Sequence, residues 1–203
     1  MHRKFLEENL LLATNNNYKI GEIKKYFANI GNIKVNFFTP ADFNIPSPNE
    51  TEDTFIGNAE LKARFYGNIT GMPALADDTG ICIDALDGFP GVYTADWISE
   101  HGDPEKLINK VEKEVTDSGE KTAKAVCALS LYWPADGHME SFLGEAKGEL
   151  DFSFKNLTGI GFTRIFIPKG YKEPYALLNF EQKLRTCHRG RAFAKLIKAC
   201  FSA

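Results

Sequence analysis

The sequence is poor in cysteine and lacks the cysteine pairs that bind metals or exchange electrons. Its four cysteines, Cys82, Cys127, Cys187 and Cys200, lie far apart, and no two form a CxxC pair. We therefore interpret them as small apolar side chains in a reducing compartment. The four histidines have no HExxH-like spacing either, which disfavours zinc and leaves carboxylates as the expected metal ligands.

Long apolar runs and a strong charge excess are also missing. No stretch of 18 consecutive apolar residues occurs, and the first residues are rich in charge, so we expect no membrane span, no signal peptide and a cytoplasmic location. The formal net charge of −3 disfavours binding to a nucleic-acid backbone. The 16 phenylalanines offer surfaces for stacking of single-stranded bases, but no interleaved basic residues accompany them.

Three familiar active-site motifs are absent from the sequence. There is no GxxxxGK[ST] loop for triphosphate binding and no GxSxG nucleophile turn. Gly159 and Gly161 begin a dinucleotide-like fingerprint, but its third glycine is replaced by Arg164. Any phosphate chemistry in this chain must therefore use another arrangement.

The apolar periodicity predicts an α/β protein in which helices and strands alternate early and a hairpin follows late. Helices are predicted after residue 17, after Thr54 as N-cap, from Asp103-Pro104 and from about Arg189. The predicted strands span residues 10–13, 33–38, 74–76, 81–83, 123–133, 139–150 and 164–167. No repeat or linker interrupts the chain, so we predict one domain over residues 1–203 with a mixed sheet.

Adjacent carboxylates mark a candidate metal site. Asp77 and Asp78, followed by Thr79 and Gly80, are predicted to lie in a tight turn between two short strands. Paired carboxylates at the end of a strand suit a hard cation such as Mg²⁺. An ordinary turn with one hydrogen-bonded and one solvated aspartate would have the same sequence.

Two other segments are candidate phosphate sites. The asparagine-rich loop from Thr14 to Lys19 joins a strand to a helix, where backbone amides and a lysine can cradle a phosphate. His188 and Arg189 open the last helix, where cations oppose the helix dipole and a bound anion would offset the cost. A capping loop and a solvated basic patch are the alternatives. By themselves, Lys62 and Glu50 suggest only a solvated surface.

Four ordered segments resemble the inosine triphosphate pyrophosphatase family, whose members clear deaminated purine nucleotides from the precursor pool. They are residues 14–19, residues 54–63, the block 75–93 that contains Asp-Asp-Thr-Gly and Pro-Gly-Val-Tyr, and residues 183–192. The resemblance implies an α/β fold: a long mixed β-sheet flanked by helices, forming two lobes with a substrate cleft between them. It also implies a homodimer that hydrolyses (deoxy)nucleoside triphosphates such as ITP, dITP and XTP to monophosphate and pyrophosphate, with Mg²⁺ as cofactor.

The resemblance assigns roles to individual residues. Glu50 and Asp78 would hold Mg²⁺, and Asp78 would accept the proton of the attacking water. The implied catalytic residues are Asp78, Asp77, Lys19 and Lys62. The implied substrate-binding residues are Thr14, Asn15, Asn16, Lys19, Thr79, Ile160, Gly161, Phe162, Thr163, Lys183, His188 and Arg189.

The match breaks in the segment that faces the base. The family pattern G-F-G-Y-D-P-I-F corresponds to residues 159–166, where Ile160, Phe162, Thr163 and Arg164 replace an aromatic residue, a tyrosine, an acid and a proline. We expect purine selectivity to be altered or loosened, with catalysis retained because the matched phosphate and metal positions survive. A nucleotide-binding sensor with weak or no catalysis is the alternative.

Overall fold

A computed structural model describes residues 2–30, 34–101 and 104–202 of the chain. Its helices are α1 (Asn17–Ile30), α2 (Phe55–Thr70), α3 (Thr94–His101), α4 (Pro104–Ser118), α5 (Phe180–Thr186) and α6 (His188–Leu196), which continues as a π-helical turn over Ile197–Phe201. Its strands are β1 (Asn9–Leu12), β2 (Asn36–Phe38), β3 (Ala74–Ile83), β4 (Pro90–Gly91), β5 (Thr122–Trp133), β6 (His138–Leu150) and β7 (Phe166–Pro168).

The strands of the described residues form a mixed sheet in the order β2-β1-β3-β5-β6-β7, with β4 paired to β3. β1 runs parallel to both β2 and β3. The β3–β4 and β6–β7 pairs are antiparallel. The predicted α/β class, with a mixed sheet flanked by helices, is therefore confirmed. Among the described helices, none combines the length and the apolarity that a membrane span requires.

The residues divide into two compact units. The first unit comprises Met1–Asp78, Ala128–Leu143 and Ala192–Ala203, and the second comprises Thr79–Cys127 and Gly144–Arg191. Strands β3, β5 and β6 each contribute residues to both units. The single domain over residues 1–203 and the substrate cleft between two lobes stay predictions.

In the first unit, small side chains allow α2 to pack closely on the sheet. Ala63 and Tyr66 of α2 share one core with sheet residues. The Cβ of an alanine at Gly67 would lie 2.8 Å from the Tyr132 ring, so this helix face has no room for a side chain there. α2 begins at the predicted N-cap, because Thr54 Oγ1 accepts a hydrogen bond from the Gly57 amide. This packing fixes the position of Lys62 on α2.

Aromatic contacts hold α1 in the same unit. The Tyr26 and Phe27 rings lie 5.1 and 4.9 Å from that of Phe193, and Phe27 also contacts Phe201 at 5.1 Å. Edge-to-face and stacked pairs of this kind add to the free energy gained from burial. Because these rings fix α1, they also determine where its first turn, which carries Lys19, is placed.

The second unit has its own core. Apolar residues of α3, α4 and the adjoining strand segments pack together, including Trp97, Val111, Ile165 and Phe166. Gly148 of β6 lies so close to β7 that an added Cβ would overlap the carbonyl oxygen of Ile167. Glycine is therefore required at this strand contact.

The predicted turn at residues 77–80 is wrong. β3 runs unbroken from Ala74 to Ile83, and Gly80 is not among the described glycines with a positive φ. Two adjacent aspartates disfavour a buried strand when their charges have no partners. Here Lys19 and Lys62 lie beside the two carboxylates, so the strand continues through them. The last strand also begins later than predicted, because residues Gly161–Arg164 form a 3₁₀ turn. Helices α3 and α5 and strand β4 were not predicted. The predicted helix cap at Asp103 and the predicted first strand residue Ile33 lie outside the described residues.

Candidate active site

Three carboxylates of the first unit are held by two lysines. Lys62 Nζ donates hydrogen bonds to Glu50 Oε2 at 2.9 Å and to Asp78 Oδ1 at 3.0 Å. Lys19 Nζ lies 3.3 Å from Asp77 Oδ2. The Lys62, Asp77 and Asp78 side chains are all under 10% exposed, whereas that of Glu50 is 41% exposed. We call these five residues the carboxylate–lysine cluster.

The alternation of side chains along β3 explains why each aspartate has its own lysine. Neighbouring residues of a strand point to opposite faces of the sheet. Ala74 and Ala76 pack in the α2 core, so Asp78, two residues further along the strand, points to the same face and meets Lys62. Asp77 points to the other face and meets Lys19 of α1.

Burial is the dominant influence on Asp78. It raises the pKa of the Asp78 carboxyl from 3.8 to about 6. Lys62 opposes this rise by favouring the charged carboxylate, and the nearby charge of Glu50 reinforces it. A carboxylate with this pKa is mostly ionised at neutral pH, yet it binds a proton more readily than an ordinary aspartate does.

The pKa of Lys62 shows the opposite balance. Burial by itself lowers the pKa of its ammonium, but the carboxylates of Asp78, Asp77 and Glu50 outweigh burial and raise the pKa above the usual value. Lys62 is therefore a permanently charged group inside the cluster. Its positive charge keeps the neighbouring carboxylates compatible with burial.

The donor set of the cluster fits a divalent cation with a preference for oxygen. Asp78 Oδ2 is buried and has no hydrogen-bond partner among the described residues, so an oxygen lone pair remains available there. No group of three or more His, Cys, Asp or Glu side chains suited to a metal occurs in that part of the chain. This is compatible with Mg²⁺, which binds proteins through one or two carboxylates and keeps waters or phosphate oxygens as its other ligands.

The predicted phosphate loop joins β1 to α1. Asn16 is the N-cap of α1, because its Oδ1 accepts hydrogen bonds from the amides of Tyr18 and Lys19 at 3.0 and 3.3 Å. Thr14 Oγ1 accepts a further bond from the Asn16 amide at 3.2 Å. The loop is therefore ordered by its own side chains and places Lys19 in the first turn of the helix.

Asn15 fixes this loop to a neighbouring segment. Its Nδ2 donates to Ser47 Oγ at 3.0 Å and to Tyr66 Oη at 3.2 Å. Sequence reasoning did not identify Ser47 and Tyr66, because a serine in a proline-containing loop and a tyrosine on a helix carry no signal of their own. The Asn15 side chain therefore holds the loop against this segment, a role that was not predicted. Its contact with substrate stays a prediction.

The predicted base-facing residues lie in the second unit, in the 3₁₀ turn. Thr163 Oγ1 donates a hydrogen bond to the carbonyl oxygen of Ile160 at 2.7 Å. Arg164, which is 7% exposed, donates from Nη1 to Glu105 Oε1 at 2.5 Å. Thr163 and Arg164, which replace the acid and the proline of the family pattern, therefore both form hydrogen bonds within the second unit. Glu105 was not predicted as a partner, because its helix is distant in sequence from the turn.

The two apolar residues of this turn differ in exposure. Ile160 is 60% exposed. Phe162 is buried, and its ring is nearly parallel to that of Trp97, with 6.4 Å between the centroids. Between them, Gly161 has a φ of +53°, a conformation that glycine adopts without strain. Phe162 thus has an internal stacking partner, and Ile160 offers the accessible apolar surface.

The other predicted substrate residues of this unit lie on β3 and on two consecutive helices. Thr79 follows Asp78 on β3 and is half-buried, as is Lys183 on α5. His188 and Arg189 begin α6, with Arg189 buried. The Cβ of an alanine at Gly190 would lie 2.2 Å from the Leu184 carbonyl oxygen, so the start of α6 packs directly on α5.

Comparison with a family model decides the evolutionary assignment of this chain. Residues 10–199 match the model of the Ham1 family. The chain belongs to the Ham1 family. Curated relatives include the dITP/XTP pyrophosphatase of Ruegeria pomeroyi, which is 41% identical over 99% of both chains. That of Rhodospirillum centenum is 40% identical over 98% of both.

Solved structures agree with the Ham1 assignment. The HAM1 protein of Coxiella burnetii has a TM-score of 0.84 and 28% sequence identity, covering 95% of this chain and 98% of the other. The Ham1 protein of Staphylococcus aureus has a TM-score of 0.80 and 28% identity, covering 93% and 95% of the two chains. The predicted family is confirmed. The roles of single residues, and the meeting of residues from the two units in one site, stay predictions.

Proposed function

We propose that this Ham1-family chain hydrolyses nucleoside triphosphates to monophosphate and pyrophosphate. The single observation that carries the proposal is the carboxylate–lysine cluster: the buried Asp78 and the half-exposed Glu50, whose carboxylates suit a divalent ion, lie with two lysines suited to phosphate oxygens. The names of the curated relatives, dITP/XTP pyrophosphatase, support deaminated purine nucleotides as the substrates. The chain is then an enzyme, a hydrolase of phosphoric anhydrides.

The proposed mechanism assigns one task to each side chain of the cluster. Asp78 accepts the proton of the attacking water, a task that suits a carboxyl group with a pKa near 6. Lys19 and Lys62 donate hydrogen bonds to phosphate oxygens and offset the negative charge that develops on the leaving pyrophosphate. Asp77 keeps Lys19 in place before substrate binds.

We propose Mg²⁺ as the cofactor, held by Glu50 and Asp78. A bound Mg²⁺ would lower the pKa of the attacking water and neutralise phosphate charge. The free Oδ2 of Asp78 and the half-exposed Glu50 carboxylate support this assignment. Thr14, Asn16, Thr79 and Lys183 are proposed to contact the triphosphate and sugar, with Asn15 holding the loop in place.

We propose that the base is bound by Ile160, Gly161, Phe162, Thr163, His188 and Arg189, with selectivity lower than in relatives that carry an acid at position 163. Since the Thr163 hydroxyl donates to the Ile160 carbonyl and Arg164 is paired with Glu105, neither side chain replaces the lost carboxylate. A homodimer and a cytoplasmic location stay predictions.

A panel of nucleoside triphosphates with Mg²⁺ tests the activity. Pyrophosphate release from ITP, dITP and XTP is expected, without orthophosphate. A nucleotide-binding sensor would instead be stabilised by the same compounds and release nothing, which would contradict the proposal. Selectivity is measured as the ratio of kcat/KM for ITP and ATP. The Thr163→Asp variant is expected to raise this ratio, and a wild-type ratio already at the level of acid-containing relatives would contradict loosened selectivity.

A further inference from the structure

Lys62 is placed to compete with a divalent ion for the carboxylates of the carboxylate–lysine cluster. Its ammonium bonds both proposed metal ligands, Glu50 at 2.9 Å and Asp78 at 3.0 Å. Mg²⁺ binds carboxylate oxygens at about 2.1 Å and requires near-octahedral geometry around itself. The ammonium takes Asp78 Oδ1 and Glu50 Oε2. Its positive charge lies next to the oxygens of these carboxylates that remain, so it weakens the binding of a second cation to the same pair.

Lys19 does not share this arrangement. Its Nζ lies 3.3 Å from Asp77 Oδ2. Asp77 points to the opposite face of the sheet from Asp78. Lys19 contributes positive charge to the cluster without bridging Glu50 and Asp78. The two lysines therefore have different relations to the proposed metal ligands, although each carries one charge.

We propose that Lys62 is an internal counter-ion that a divalent metal ion displaces, so that metal and triphosphate bind together rather than in sequence. In the free protein, Lys62 holds Glu50 and Asp78 and keeps metal affinity low. When a triphosphate is present, its oxygens attract the Lys62 ammonium, and the two carboxylates become available to the metal ion. This inference rests on the proposed function, but its test needs no turnover.

The exchange has a thermodynamic consequence. If triphosphate removes Lys62 from the carboxylates, triphosphate strengthens metal binding, and by linkage metal strengthens triphosphate binding by the same factor. In a variant without the Lys62 charge, no ammonium competes with the metal ion for the two carboxylates. Such a variant should bind metal more tightly in the absence of nucleotide, and triphosphate should strengthen its metal binding less than in wild type.

The test measures binding of Mn²⁺ alone, followed by electron paramagnetic resonance of the free ion, with competition by Mg²⁺. The Lys62→Met variant is expected to bind Mn²⁺ at least about 10-fold more tightly than wild type in the absence of nucleotide. The Lys62→Arg variant keeps a bridging cation and is expected to bind Mn²⁺ as weakly as wild type. Adding a non-hydrolysable triphosphate analogue should tighten Mn²⁺ binding more in wild type than in Lys62→Met.

Two controls separate displacement from a general change of charge. Lys19→Met removes one charge from the cluster without freeing Glu50 and Asp78, and Lys113→Met removes one from an exposed pair with Asp117. Both are expected to change Mn²⁺ affinity less than about 3-fold. Equal tightening by Lys19→Met and Lys62→Met would overturn the proposal, as would unchanged affinity in Lys62→Met. Pyrophosphate release by wild type tests the proposed function separately.

The wild-type protein provides a test that does not depend on any variant folding. The lysine ammonium signals in nitrogen-detected or proton-detected NMR spectra report whether an ammonium is held in ion pairs. The Lys62 signal is expected to change when Mg²⁺ and the triphosphate analogue are added together. A signal that stays unchanged while both ligands bind would also overturn the proposal.

Discussion

At the scale of single residues, Asp78 combines a proposed role in catalysis with a cost in stability. Its carboxyl is buried, and burial outweighs the attraction of Lys62, so the folded protein binds a proton at this site more tightly than the unfolded chain does. A carboxylate arranged in this way is available for metal binding and proton transfer. Ionisation of Asp78 therefore reduces the free energy of unfolding of the metal-free protein.

This balance predicts the behaviour of Asp78→Asn. Because the pKa of the acid rises from 3.8 to about 6 on folding, the metal-free wild type should lose stability as pH rises from about 4 to about 6. The neutral amide avoids this loss, so the variant should be about 1–3 kcal/mol more stable at pH 7.5 without metal, with a smaller gain near pH 4.5. Denaturant unfolding at both pH values measures the difference.

The same variant should lose turnover by about 10²–10⁴-fold, because its side chain no longer accepts a proton. Pyrophosphate release from ITP with Mg²⁺ measures this loss. Circular dichroism provides the control for an intact fold. A variant that is less stable than wild type at every pH between 5 and 8 would show that the Lys62 ion pair, and not burial, dominates at this site.

The sequence was informative about which residues form the cluster but not about how they contact one another. Lys19, Asp77 and Asp78 stand in recognisable motifs. Lys62 and Glu50 are a lysine on a helix and an acid in a loop, and only the resemblance to a family selected them. Their shared hydrogen bonds depend on the packing of α2 against the sheet, which no local sequence pattern specifies.

At the scale of secondary structure elements, the start of α6 depends on an unusual cap. Cys187 precedes the helix, its carbonyl oxygen accepts from the Arg191 amide at 3.0 Å, and its Sγ accepts from the Gly190 amide at 3.2 Å. A thiol is a weak acceptor in comparison with a hydroxyl. The helix that carries His188 and Arg189 therefore begins at a weakened N-cap.

Replacing the thiol should change the stability of this helix start. Cys187→Ser supplies a stronger acceptor and is expected to raise the free energy of unfolding by about 0.5–1 kcal/mol, whereas Cys187→Ala is expected to lower it by about 1 kcal/mol. Thermal unfolding of the two variants beside wild type gives both values. A serine variant less stable than the alanine variant would refute a capping role for residue 187.

Two glycines in helices should respond oppositely to alanine. A Cβ at Gly21 of α1 has no heavy atom within 4 Å, whereas one at Gly190 of α6 would overlap the Leu184 carbonyl oxygen. Gly21→Ala is expected to stabilise the protein by about 0.5–1 kcal/mol, because alanine loses less backbone entropy in a helix. Gly190→Ala should destabilise it by at least about 1–3 kcal/mol. The denaturant concentrations at the unfolding midpoints of the two variants and wild type measure these effects. Equal effects of the two substitutions would contradict the prediction.

Most long elements followed from the sequence, and the errors have identifiable causes. β5 and β6 were predicted within a residue or two, because their length and apolar content leave few alternatives. The break predicted in β3 came from treating two aspartates as solvent-exposed, and the lysines that compensate them lie 16 and 58 residues away in sequence. Short elements such as β4 depend on tertiary pairing, which a local window does not contain.

At the scale of the whole molecule, the balance of charge bears on which ligands can bind. The chain has a formal net charge of −3, and the carboxylate–lysine cluster sets two lysines among three carboxylates. A polyphosphate bound with a divalent ion is compatible with this arrangement. The net charge disfavours binding to a long nucleic-acid backbone, which requires many basic residues, and the absence of such a partner stays a prediction.

Ligand binding should therefore stabilise the molecule selectively. A non-hydrolysable triphosphate analogue with Mg²⁺, at about 100 times its dissociation constant, is expected to add about 2.7 kcal/mol and to raise the Tm by about 5–10 °C. Removing the metal with a chelator should abolish most of this rise in Tm. An oligonucleotide at about 0.1 M salt should produce none, and a comparable shift with the oligonucleotide would contradict the assigned ligand class.

The alternating geometry of β3 makes the cluster depend on residue count. Because Asp77 and Asp78 reach different helices only through their positions in the pleat, a deletion of one residue between Ala74 and Asp77 would redirect each carboxylate to the other side of the sheet. An insertion or deletion in this strand would therefore separate each acid from its lysine, even if it left the side chains themselves unchanged. The number of residues in β3, as well as their chemistry, is needed to build the cluster.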